Sequence, residues 1–107
     1  MERFPCPYLG TDVELSDAQE RHIATRHPDL WPRRRGLVAE TLASPDEVRR
    51  SVRSGDARLF TRWYDDGRGG KYMVVVVVTQ TAPKRHWIVT AYVARKLQEG
   101  AVEWRKS

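Results

Sequence analysis

The sequence predicts an α+β domain in which two N-terminal helices pack on a four-stranded antiparallel β-sheet, and three observations carry that expectation. A helix-capping pattern stands near the start, five consecutive valines mark a strand buried on both faces, and two short turn-rich loops space the later strands as a meander. With 107 residues, 40% of them hydrophobic, the apolar material suffices for one core, so residues 1–107 are expected to form a single domain.

Val13 and Leu15 form a short lead-in to Ser16, and Ser16-x-x-Gln19 is a capping box that starts the first helix. That helix carries Ala18, His22, Ile23 and Arg26 and must stop near His27, because Pro28 disfavours helical geometry at the residue before it. After the break from Asp29 to Arg35, the helical spacing of Leu37, Val38, Thr41 and Leu42 predicts a second helix over Gly36 to Ala43. Ser44-Pro45-Asp46 is a turn signal, and Pro45 cannot continue the helix.

From there the period changes to two. Val48 to Arg53 alternates weakly and reads as an edge-like strand, ended by Ser54-Gly55-Asp56. Leu59 to Tyr64 is richer in aromatic and β-branched residues, and the loop Asp65-Asp66-Gly67-Arg68-Gly69-Gly70 joins it in a hairpin to Lys71 to Thr79. The valines at 74 to 78 make that third strand central. A loop from Gln80 to Arg85, with Pro83 in it, leads to the fourth strand, Trp87 to Val93. Lys96 to Gly100 and Trp104 belong to short returning segments that the pattern does not assign.

Nineteen Lys and Arg against 14 Asp and Glu give a formal net charge of +5. The excess is uneven: residues 1 to 57 carry a net −1 and residues 58 to 107 a net +6, so the half that supplies most of the sheet is the basic one and favours an anionic partner. Cys6 is the only cysteine, which excludes an intrachain disulfide and a Cys-based zinc cluster and fits a reducing compartment. The opening MERFPCPYLG lacks the basic start and apolar stretch of a signal peptide. The longest apolar run, Tyr72 to Val78, is far short of the roughly 20 residues of a membrane helix. A soluble, cytoplasmic protein is expected, with no membrane partner.

Among residues that carry chemistry, His22 and His27 come first, because imidazole serves as base, acid or phosphate contact. Five residues on a helix place them roughly 140° apart, a poor match to a metal pair. Read alone, His27 is equally a C-terminal cap favoured by the helix dipole, and His22 a solvated helix residue. Strand parity places His86, Ile88, Thr90 and Tyr92 on one face of the fourth strand, and an apolar core face of Trp87, Val89, Ala91 and Val93 on the other. Thr90 and Tyr92 then present two hydroxyls about 7 Å apart. On the second strand Phe60, Arg62 and Tyr64 alternate with Leu59, Thr61 and Trp63, so the Arg62 face can lie beside the hydroxyls, with Lys71 at the mouth of the third strand. Guanidinium, ammonium, phenol and alcohol on one surface are what phosphate recognition needs, although Thr, Tyr and Arg also populate ordinary solvated sheet faces. Arg33-Arg34-Arg35 reads as a solvated loop. Parity makes Trp63 and Trp87 core residues; finding both exposed would indicate a docking surface.

Several stretches in order, Glu20-Arg21-His22-Ile23 with Arg26-His27-Pro28, Thr41-Leu42 with Pro45-Asp46-Glu47-Val48, Tyr72 to Val78, and Ile88-Val89-Thr90-Ala91-Tyr92, resemble the phage-associated nuclease domains grouped with barnase, EndoU, RelE and the tRNA-cleaving colicins, the PBECR domains of the BECR fold. The resemblance spans about Val13 to Trp104. It implies N-terminal helices on a four-stranded antiparallel sheet and a metal-independent, toxin-like endoribonuclease with no cofactor. By the same resemblance the catalytic set is His27, His22, Arg62, Thr90 and Tyr92 with Lys71 beside it, and Lys71, Tyr64 and His86 are the expected substrate contacts. The implied chemistry is attack of a ribose 2′-oxygen on the adjacent phosphorus, leaving a 2′,3′-cyclic phosphate. His27 would act as base, Arg62 and Lys71 would stabilise charge, Thr90 and Tyr92 would orient the phosphate, and Tyr92 or His22 would protonate the leaving oxygen. RNA, with tRNA among the candidates, is the implied partner, and an antitoxin or immunity protein a second one. The alternative is a non-catalytic RNA-binding or protein-interaction module on the same fold.

Overall fold

The fold is that of a computed structural model describing residues 1–97 and 100–107. The capping box acts as its chemistry dictates: Ser16 Oγ accepts the Gln19 backbone N–H at 3.1 Å, and α1 runs Asp17–Arg26. His27, held out of helical geometry by Pro28, is the C-cap (φ −134°, ψ 67°), and its N–H donates to the Ile23 carbonyl at 2.7 Å. The second helix, α2, covers Arg35–Ala43 and buries Val38, Thr41 and Leu42.

Among the described residues the sheet has seven strands, which corrects the expected four. They are β1 (Glu2–Cys6), β2 (Thr11–Leu15), β3 (Glu47–Arg50), β4 (Ala57–Tyr64), β5 (Lys71–Thr81), β6 (Lys84–Ala94) and β7 (Ala101–Arg105), in the order β1-β2-β6-β5-β4-β3-β7. The sheet is also mixed rather than antiparallel, because β2 runs parallel to β6 through the single pairing Glu14↔Trp87. The extra strands are short segments with two buried side chains each or none: Phe4 and Cys6 in β1, Val13 and Leu15 in β2, none in β7. Pro5 is tolerated because β1 is an edge strand. The segment expected as edge-like is β3, and it lies inside the sheet, covered by β7. Of the returning segment over Lys96 to Gly100, residues 98 and 99 lie outside those described; Trp104 belongs to β7.

The sheet curls until its edges meet. Tyr8, in the 3-10 turn Pro7–Leu9 after β1, packs edge-on against Phe60 and at a tilt against Trp104, and its hydroxyl donates to Glu103 in β7. The concave face wraps around α2 and closes the core on Phe60, Met73, Val75, Val77, Ile88 and Ala91, all at most 1% exposed. Truncating a side chain such as Phe60 to Ala there costs about 3–5 kcal/mol.

A bulge in β6 decides which face each later residue takes. The β5–β6 register shifts between Val76 and Val77, so that Val77 pairs with Ile88 and Val76 with Thr90, and Val89 is the extra residue. His86 and Ile88 therefore share the concave face with Ala91 and Val93, while Trp87, Thr90 and Tyr92 face outward. This overturns the uninterrupted alternation expected for that strand. Trp87 is half-buried on the outer side, and Trp63, expected in the core, is 45% exposed.

Candidate functional site

His27 sits at the corner where the concave face meets the free edge of β6. Beyond Trp87 no strand pairs with that edge among the described residues, because the chain leaves β2 at Ser16 and α1 packs there instead. Two hollows adjoin at this corner. One, of about 580 Å³ and widely open, is lined by His22, Arg26, His27, Thr90, Tyr92 and Val93 among others. The second, of about 320 Å³, brings His27 and Arg26 together with Arg34, Tyr64, Lys71 and Val93. Six of the eight residues singled out in the sequence, His22, His27, Tyr64, Lys71, Thr90 and Tyr92, thus line two hollows that share His27.

The other two lie elsewhere. Arg62 pairs with Met73, which pairs with Val93, so it faces the concave side while Thr90 and Tyr92 face outward. Its guanidinium donates to the Ser44 carbonyl at 2.6 Å, satisfying the C-terminal end of α2, and it lines neither hollow. His86 is 2% exposed near the opposite end of β6, its Nδ1 paired with Thr79 Oγ1 at 2.8 Å and its Nε2 without a partner. Burial, aided by the positive charges of Lys84 and Arg58, pushes its pKa below the ordinary imidazole value. It is a buried structural histidine rather than a substrate contact.

The shared corner is cationic. Arg26, Arg34 and Lys71 line the smaller hollow against one carboxylate, Asp29. The Arg34 guanidinium stands over the Tyr64 ring at 5.7 Å, which fixes both groups at the rim. Lys71 is held by Asp66 at 3.3 Å; the Asp66 carboxyl lies below its ordinary pKa because the Arg68 backbone N–H, then the Gly70 N–H and Lys71, stabilise its charge. Gly67, Gly69 and Gly70 give the loop its shape with positive φ values of 80°, 107° and 89°. The arrangement offers a group able to exchange a proton, three cations and several hydroxyls across two adjoining hollows. It can hold a phosphodiester and move a proton beside it.

Two of those cations had no assigned role in the sequence reading. Arg34 lay in the arginine run read as a solvated loop, and Arg26 is the residue before the predicted helix end. The available signal was position, since residues flanking a helix C-cap on both sides converge on the space the helix end leaves open. Among the described residues no three His, Cys, Asp or Glu side chains are grouped to hold a metal ion, and no helix is long and apolar enough to cross a membrane. The chain matches no family model, and no curated protein and no solved structure shows significant similarity to it.

Proposed function

We propose that the protein is an endoribonuclease that cleaves RNA at the His27 corner without a metal ion, by attack of a ribose 2′-oxygen on the neighbouring phosphorus. The observation that supports it is the convergence of His22, His27, Thr90, Tyr92, Tyr64 and Lys71 on two adjoining hollows. In this reading His27 takes the 2′-OH proton, and the 2′-oxygen forms its bond to phosphorus as the bond to the 5′-oxygen breaks. Lys71, Arg26 and Arg34 balance the charge that builds on the phosphoryl oxygens. Tyr92 or His22 supplies the proton that the leaving 5′-oxygen takes up. Arg62 has no part in it, being committed to Ser44. Acting in the cytoplasm on cellular RNA, tRNA included, such an enzyme requires restraint by an inhibitor protein.

The test is chemical. Purified protein incubated with a defined RNA in EDTA should leave 2′,3′-cyclic phosphate ends, and a single 2′-deoxy substitution at the scissile nucleotide should block the cut, because the nucleophile is then missing. RNA that is bound but stays intact would overturn the catalytic reading in favour of a binding module.

A further inference from the structure

A further hollow of about 620 Å³ lies on the outer face of the sheet and is lined by none of the eight candidate residues. Its volume is within the range of small-molecule sites, about 300–1,000 Å³. Its wall is aromatic: Trp63 and Tyr72, cross-strand partners in β4 and β5, meet edge to face with ring centroids 5.1 Å apart. The indole is also clamped from behind, for a Cβ placed on Gly70 would lie 1.9 Å from the Trp63 ring. Trp63 is therefore packed against Gly70 and Tyr72 while remaining 45% exposed.

The rest of the lining is unbalanced in charge. Glu47 is neutralised by Arg49 at 2.9 Å and Arg105 at 2.8 Å, and Asp46 by Lys106 at 2.7 Å. Arg95 and Lys96, which follow β6 and line the same hollow, have no ionic partner among the described residues. A packed π-surface beside two cations that have no ionic partner among the described residues matches a ligand that alternates a flat base with a phosphate. An acidic peptide would use the cations and leave the indole idle.

We propose that this outer hollow is a second nucleotide subsite, in which Trp63 stacks on a base of single-stranded nucleic acid while Arg95 and Lys96 hold the flanking phosphates. The proposal rests on the RNA-cleaving reading for its biological substrate. The Trp63↔Tyr72 pair is one step along the strands, about 3.3 Å, from the Tyr64↔Lys71 pair that lines the His27 hollow, but on the other side of the sheet. One strand bending round the end of the β4–β5 hairpin would occupy both. The subsite therefore selects RNA with unpaired nucleotides beside the cut.

A fluorescein-labelled single-stranded oligodeoxynucleotide, which lacks the 2′-OH and stays intact, tests the subsite apart from the chemistry. Its affinity is read by anisotropy for the wild type, Trp63→Ala, Trp63→Phe and the Arg95→Ala/Lys96→Ala double variant. Trp63→Ala should weaken binding about tenfold and Trp63→Phe much less, as for loss of one stacked base. The double variant should lower the slope of log affinity against log salt by about 1.4. Wild-type affinity in Trp63→Ala, failure of the wild type to bind the oligonucleotide, or poly-glutamate displacing it from the wild type but not from Trp63→Ala, would each overturn the subsite. Intact RNA together with the expected binding pattern would instead count against the catalytic reading alone.

Discussion

Replacing Glu103 with Ala should loosen the clasp that closes the curled sheet. The Glu103 carboxylate, its side chain 21% exposed, accepts from Tyr8 next to β1, from Arg58 Nε in β4 at 2.9 Å and from Arg50 Nε beside β7 at 3.0 Å. The Arg50 side chain is 43% exposed, so its pair contributes less than about 1 kcal/mol. Arg58, 20% exposed, and the Tyr8 hydroxyl contribute about 1 kcal/mol each. The loss is thus about 2 kcal/mol. With an unfolding entropy of about 2.1 cal/mol/K per residue, a chain of 107 residues should lose about 9 °C in Tm. Thermal unfolding followed by circular dichroism reads this directly. Glu103→Gln keeps an oxygen for Tyr8 and should lose about half as much. The acid limb adds a second check. Burial alone would raise the Glu103 pKa, but Tyr8, Arg58 and Arg50 together hold it below the ordinary value of 4.5. Its stabilisation is therefore present above about pH 4.5 and lost as pH falls through the folded-state value, and Glu103→Ala should show a shallower loss there. A Tm within about 2 °C of the wild type would refute the clasp, since the summed partners exceed that by several-fold.

Three further outcomes are expected. His86, buried with its folded pKa lowered from 6.5, is neutral in the fold, so stability should be full above about pH 6.5 and decline as pH falls toward the folded-state value. His86→Leu should flatten denaturant midpoints across that window, and an unchanged slope would assign the decline to other groups. Gly70→Ala meets the Trp63 ring at 1.9 Å with φ at +89°, so it should cost about 1–3 kcal/mol and shift the tryptophan emission; a wild-type spectrum and stability would contradict the packing. Arg62→Ala should leave RNA cleavage intact and cost about 1 kcal/mol through the orphaned Ser44 carbonyl, whereas a large loss of rate would return Arg62 to the site.

Local chemistry was the most legible part of the sequence. The Ser16 cap, the His27 stop before Pro28 and the hairpin loop at Gly67 to Gly70 all follow from backbone rules that act over a few residues. The valines of β5 made a central strand readable, because β-branched runs have few other uses. Phe4 with Cys6 and Val13 with Leu15 did alternate, yet two apolar residues interrupted by Pro5 do not distinguish a strand from a lead-in. β7 gave no burial pattern, since all five of its residues are exposed and its place comes from pairing with β3. The bulge at Val89 was hidden for another reason: residues 86 to 93 alternate plausibly in either register, and only the pairing with β5 chooses. That one extra residue separated Arg62 from Thr90 and Tyr92. His27 stayed central because its position depends on the helix end and not on strand parity.

The most direct measurement is the rate at which the wild type and His27→Ala cut one defined RNA in EDTA, with both proteins shown to be folded. Cleavage by the wild type with cyclic-phosphate ends, slowed by about 10²–10⁴-fold in His27→Ala while RNA binding is retained, is the expected result. An equal rate in the two proteins, or no cleavage by a wild type that binds the RNA, would contradict the assignment of the His27 corner as the catalytic site.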